Sequence, residues 1–208
     1  MAETTAVQPA AQPVALPTVA DPAPLGLAGF AMTTLILSLH NTNTWAAGAF
    51  SAISLALAYG GGAQLLAGMW EFKRNNTFGA TAFSSYGAFW IAFWYLNVHG
   101  GFTAADGPVV VGTFLLGWCI FTFYMTIASL RTNGAVFVVF ALLTITFVLL
   151  TIGAFHSSPT ATVPDGMTKA GGWFGVATAA AAWYASFAGV TNTTFGRPLI
   201  PVWPLTRP

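Results

Sequence analysis

Charge is what this sequence lacks. Of 208 residues only 5% are Asp, Glu, Lys or Arg, six basic and five acidic in all, against roughly a quarter in an ordinary soluble domain. So few charges cannot coat a water-facing surface, so the exterior is expected to face lipid. The net charge of +1 leaves no concentrated basic patch for phosphate backbones, which excludes nucleic acid as a partner. The one cysteine, Cys119, sits in an apolar run, which excludes disulfide frameworks, cysteine–zinc clusters and redox CxxC pairs. There is no HExxH motif, no pair of intramembrane carboxylates and no nucleophile with an evident base. Lys73 and Lys169 fall in loops, where a buried Schiff base is implausible. Neither an enzyme nor a photoreceptor is expected, and no cofactor is implied.

Apolar side chains are abundant instead, at 56% of the chain with 15% aromatic. Residues 1–20, rich in Ala, Pro, Thr, Val and Gln, have neither the basic stretch nor the apolar core of a secretory leader. They are expected to form a disordered arm. Six apolar segments then follow, at about 24–40, 45–70, 78–98, 108–130, 134–155 and 170–192, each close to the roughly 20 residues that span a bilayer. Asn41 to Asn43, Glu71 to Asn76, His99 to Gly107, Arg131 to Gly134 and His156 to Lys169 separate them. The expected fold class is an all-α integral membrane protein of six transmembrane helices. Its membrane domain would cover residues 21–195, and residues 196–208 would form a C-terminal tail.

Orientation follows from the basic residues. With six spans both termini share a side with the second and fourth loops, and that side collects Lys73, Arg74, Arg131, Arg197 and Arg207; the other side holds Lys169. Basic residues favour the cytoplasmic face, so both termini are expected there, in a plasma-membrane protein.

Glycine placement is informative. Gly171, Gly175, Ala179, Ala182, Ser186 and Gly189 recur every three or four residues, a small-residue stripe that lets helices approach closely. Packing within one subunit and an oligomer interface both remain open as its purpose. The run Gly60-Gly61-Gly62 lies inside the second span, where each glycine weakens a helix by roughly 1 kcal/mol relative to alanine. Local unwinding or very close helix contact is expected there.

Polar residues inside a membrane are functional candidates because each costs energy unless partnered or hydrated. The substrate-binding candidates are Thr33, Thr34 and Asn41 on the first span, Gln64 on the second, Thr81 and Ser85 on the third and Thr144 on the fifth. Neutral hydroxyl and amide donors replace part of a carboxylate's hydration without trapping it, as a buried Lys or Arg would. Many of these Ser and Thr hydroxyls are expected merely to bond to their own helix carbonyls. Asp21, Glu71 and His40 are candidates for gating or proton transfer. His40, His99 and His156 end alternate spans and share a depth, which allows a pH-sensitive rim or a metal site.

Several blocks resemble a known family. Asp21-Pro-Ala-Pro-Leu-Gly-Leu27 is similar to the NPAPLGL signature of the acetate uptake transporters, the succinate–acetate permeases of GPR1/FUN34/YaaH type. Tyr59-Gly-Gly with Gln64, Ala67, Gly68 and Glu71 resembles the next block. Asn76-Thr-Phe-Gly79, Thr81 to Gly87, Phe89 and Trp90 resemble a third, and Phe195 to Arg197 with Leu199 to Pro201 the closing segment. The chain departs from the pattern at Asp21, where the family has Asn, and at Asn75, where it has Gly.

The resemblance implies a homo-hexamer in which each six-helix subunit carries its own path for acetate and, in some members, succinate. Both proton-coupled carriers and anion channels are described in the family. It further implies an apolar constriction, which falls here on Phe30, Tyr86 and Leu143, with Leu143 in a generic apolar run. The expected partners are thus acetate, protons, membrane lipid and further copies of the chain. The alternatives are a membrane acetate sensor without flux, and a neutral-solute channel for water, glycerol or ammonia, for which the paired NPA boxes of aquaporins are missing.

Overall fold

A computed structural model describes residues 19–205. The expected arm lies outside the described residues except for Val19 and Ala20, as does Arg207. Six helical rods make up the rest: α1 (Ala23–Asn41), α2 (Gly48–Lys73), α3 (Thr77–His99), α4 (Gly107–Ser129), α5 (Gly134–His156) and α6 (Gly166–Thr194). Among the described residues the only β-pairing is an isolated bridge between Asn133 and Pro204. By length and composition α1, α2, α4 and α5 could each cross a membrane. Helices α3 and α6 are as long, but Gly, Ser, Thr, Asn, Trp and Tyr dilute their apolar residues.

Helix starts follow the local chemistry. Asn76, Asn133 and Asp165 cap α3, α5 and α6 by accepting from backbone N–H groups of the first turn, and proline occupies the first turn of α1 and of α4. The second and last helices run beyond the expected spans. Glu71 lies inside α2 rather than in a break, because its buried carboxylate finds a donor in Asn76. Helix α6 starts at Gly166 because Asp165 caps it there.

Small residues decide how the rods meet. The glycine run does both things expected of it: residues Ala58–Ala63 form a π-helical turn, and the backbone there presses against α1. A Cβ on Gly60 would stand 2.5 Å from Thr33 Oγ1, and one on Gly29 2.7 Å from the Tyr59 carbonyl oxygen. The small-residue stripe of α6 packs within the subunit, mainly against α1. Gly175 faces Ser38 and Gly189 faces Pro24 of α1, while Gly171 faces Leu150 of α5; Ala179 and Ala182 are fully buried, and Ser186 Oγ donates to the Pro24 carbonyl at 2.7 Å.

The segment after α6 is docked against the bundle. Gly134 N–H donates to Trp203 O at 2.7 Å and Ala135 N–H to Val202 O at 3.2 Å, which satisfies donors left over at the start of α5. Tyr184 donates to Pro201 O at 2.7 Å and stacks on Trp203.

Candidate functional site: a cavity closed by an apolar floor

The rods enclose a cavity of about 590 Å³, within the usual range of ligand pockets. It opens among the connections before α4 and between α5 and α6, at the end of the bundle far from the termini. Four of the six rods, α1, α3, α4 and α5, each contribute one stripe at helical spacing. Phe30, Thr34, Leu37, Ser38 and Asn41 come from α1, and Phe89, Trp90 and Phe93 from α3. Val111 and Leu115 come from α4, and Leu143, Thr146, Phe147 and Leu150 from α5. His40 and Asp165 stand on the wall nearer the mouth.

The deepest wall residues on α1 and α5 are Phe30 and Leu143, both buried. They lie roughly 10–14 Å from the starts of their helices at a rise of about 1.5 Å per residue. Tyr86, at a similar height on α3, lies outside the cavity wall, with its ring 5.8 Å from that of Phe30 and 6.0 Å from that of Phe140. Phe89 packs edge-on against Phe147 and Trp90, at 5.6 and 4.8 Å. The floor is therefore a close-packed aromatic and aliphatic layer.

Two donors beside this floor lack partners among the described residues. Thr33 Oγ1 donates back to Gly29 O at 2.9 Å, but its neighbour Thr34, on the cavity side, has a buried hydroxyl with no hydrogen bond. Trp90 Nε1 is likewise buried and unpartnered. An unpartnered buried donor costs about 1–3 kcal/mol, and both belong to residues of the same wall. His40 Nδ1 lies 2.7 Å from Ala46 O. A carbonyl only accepts, so Nδ1 carries the hydrogen.

At the opposite end, beneath the floor, Glu71 is 1% exposed. Its Oε2 accepts from Asn76 Nδ2 at 2.9 Å, while Oε1 has no partner among the described residues and lies where a Cβ on Gly79 would intrude. Arg74, which the sequence puts next to Glu71, instead pairs with Asp21 at 2.6 Å and ties the start of α1 to the α2–α3 turn.

A family description matches residues 4–207, nearly the whole chain: the GPR1/FUN34/yaaH family. The chain belongs to this family. It is 44% identical over 200 residues to Acetate permease A of Emericella nidulans, covering 88% of this chain and 65% of that one, so it spans slightly under two thirds of that relative's length. It is 37% identical over 185 residues to the Succinate-acetate/proton symporter SatP of Escherichia coli K12, covering 88% of this chain and 95% of that one. A solved structure of the bacterial acetate channel SatP, 37% identical, superposes with a TM-score of 0.79 over 89% of this chain and 99% of that one. This member of the GPR1/FUN34/yaaH family is an all-α integral membrane protein of six helices.

In this family member the structure gathers only some of the sequence candidates. Phe30, Leu143, Thr34, Asn41 and His40 line the cavity. Thr33 is fully buried where α1 meets the π-helical turn. Gln64 is buried on α2 with its Oε1 unpartnered. Thr81 and Ser85 are half-buried on α3 away from the cavity wall. Thr144 turns from the cavity to bond with Thr126 of α4 at 2.8 Å. The three histidines share one end but do not converge: His99 packs on Trp94 and Tyr95, and His156 bonds to its own helix at Ile152 O. No group of three metal-ligating side chains occurs among the described residues.

Sequence reasoning missed Ser38 and Phe147, and did not place Trp90 or Thr146 on the path. A signal for them existed: Ser38 lies four residues after Thr34, Trp90 four after Tyr86, and Thr146 and Phe147 three and four after Leu143. Helical spacing carried along each stripe would have found them.

Proposed function

We propose that this protein carries acetate and related short-chain carboxylates, succinate among them, across a membrane, through the cavity and past the floor of Phe30, Leu143 and Tyr86. The observation that carries this reading is the pairing of an apolar, uncharged floor with the unpartnered donors of Thr34 and Trp90. A carboxylate is an acceptor and supplies what both groups lack; a methyl group suits the surrounding Phe and Leu. Ser38, Asn41 and Thr146 extend the neutral polar lining toward the mouth. The names of the relatives agree with such a substrate.

The energetics favour coupling to protons. An anion entering against about 100 mV, inside negative, costs roughly 2.3 kcal/mol, about a 50-fold penalty on accumulation. The neutral acid avoids this cost, but with a carboxyl pKa near 4 only about one molecule in a thousand is protonated at pH 7. Net uptake therefore needs the anion bound and a proton passed on. His40 at the mouth and Glu71 beneath the floor are the proton candidates on the two sides. Lys73, Arg74, Arg131 and Arg197 gather at the terminal end, which supports a cytoplasmic position for it in a plasma-membrane homo-hexamer.

Reconstituted acetate flux, measured with and without an imposed pH gradient and voltage, tests the reading. Labelled acetate should enter vesicles containing only this protein, faster with an inward proton gradient. Binding without flux would make the protein a sensor, and flux of ammonia or glycerol but not acetate a neutral-solute channel. If variants with both His40→Gln and Glu71→Gln keep full pH-dependent uptake, those residues are not the relay.

A further inference from the structure

The floor residue Tyr86 is held by a partner on another helix. Its hydroxyl oxygen lies 2.8 Å from Thr122 Oγ1 of α4, and both side chains are buried. The direction of this bond is fixed by what Thr122 does next. Thr122 Oγ1 also lies 2.7 Å from the carbonyl oxygen of Trp118, which can only accept. The single hydroxyl hydrogen of Thr122 is spent there, so Tyr86 must donate to Thr122 Oγ1.

The bond is isolated and so cannot be replaced locally. Among the described residues it is the side-chain hydrogen bond that joins α3 to α4; the other contacts between these helices near Tyr86 are aromatic, such as Tyr86 with Phe121 at 5.3 Å. Aromatic faces permit tilt and sliding, whereas a hydrogen bond in an apolar interior fixes both distance and direction. One turn further along α4, Thr126 shares its one hydrogen between Thr122 O at 2.8 Å and Phe140 O at 3.0 Å, and accepts from the Thr144 hydroxyl of α5 at 2.8 Å. Helix α4 is thereby indexed against the helix that carries Leu143.

We infer that Thr122 is a positioning residue that sets the selectivity of the floor by fixing the hydroxyl, and with it the ring, of Tyr86 beside Phe30. Thr122 lies outside the cavity wall and acts on the passing carboxylate through Tyr86 alone. The inference rests on the transport reading above for its consequence, but not for the bond itself.

Two measurements on purified protein test it, using wild type, Thr122→Val, Thr122→Ser, Tyr86→Phe and the Thr122→Val/Tyr86→Phe double variant. The first is thermal unfolding in detergent. The loss in Thr122→Val should shrink at least severalfold when Tyr86 is already Phe, and full additivity of the two changes would overturn the inference whether or not flux is seen. The second is vesicle flux of acetate with lactate and succinate as competitors. Thr122→Val should shift the lactate-to-acetate preference by about fivefold to tenfold, the scale of one lost buried hydrogen bond, with Thr122→Ser restoring it and no further shift in the double variant. An unchanged preference in Thr122→Val, or a shift that persists at full size beside Tyr86→Phe, would overturn the inference while leaving acetate transport standing. Absence of acetate flux in wild type would overturn the transport reading, and the unfolding cycle would still decide the bond.

Discussion

Asn76 holds Glu71 with one end of its amide and caps a helix with the other. Its Nδ2 donates to Glu71 Oε2 at 2.9 Å, and its Oδ1 accepts from Gly79 N–H at 3.1 Å. The end of α2 and the start of α3 are thus joined through one side chain. Removing it with Asn76→Ala loses a cap, at about 1 kcal/mol, and strips a buried carboxylate of its donor, at roughly 1–3 kcal/mol more. The variant should melt well below wild type in detergent, while Arg74→Ala, which breaks only the half-exposed pair with Asp21, should cost under about 1 kcal/mol. Equal losses in the two variants would contradict this picture.

Widening the floor should relax selectivity. Phe30→Ala and Leu143→Ala each remove buried bulk at the bottom of the cavity, at a stability cost of about 2–5 kcal/mol. Lactate and succinate should then compete with acetate more strongly than in wild type. If competition is unchanged in both variants, these side chains do not form the constriction.

Thr34→Val separates binding from folding. Among the described residues the Thr34 hydroxyl finds no hydrogen-bond partner, so an isosteric apolar replacement should leave the melting temperature unchanged or raise it. Acetate affinity should nonetheless fall by about threefold to tenfold. Half-saturation equal to wild type would remove Thr34 from the binding surface.

The contact between α1 and the π-helical turn leaves no room for a methyl group. Gly60→Ala would place its Cβ against Thr33, and overpacking of this kind costs typically about 1–3 kcal/mol. A second change, Thr33→Ala, should recover part of the loss. Failure of that rescue, measured by unfolding, would point to the π-helical backbone and not to crowding.

Asp165 lies before the first residue of α6, outside the membrane-spanning segments. Partial burial pushes its carboxyl up, but hydrogen bonds from the Thr168 backbone and hydroxyl and from the Met167 N–H outweigh this and hold it below the usual range. A carboxyl lowered in the folded state stabilises fully above its unfolded value, near 3.9, and that stability is lost as pH falls through the lower folded value. Asp165→Ala should therefore melt lower than wild type at pH 7, and the gap should close under strong acid. A gap that is constant with pH would assign the effect to capping geometry without charge.

The sequence alone determined the class, the number of rods and their order. So few charges exclude a water-facing surface, and each apolar run is long enough to satisfy its own backbone hydrogen bonds as a helix. Phe30 and Leu143 were also legible, through resemblance. Burial and partners were not, because they depend on neighbours far along the chain. Thr33 and Thr34 are adjacent and identical in type; a rotation of about 100° around α1 sends one into the α2 contact and the other to the cavity. Thr122 and Tyr86 stand 36 residues apart, and no local pattern links them. The tertiary structure decided which hydroxyls are satisfied, because only helix packing determines which face of each rod meets a neighbour and which meets the cavity.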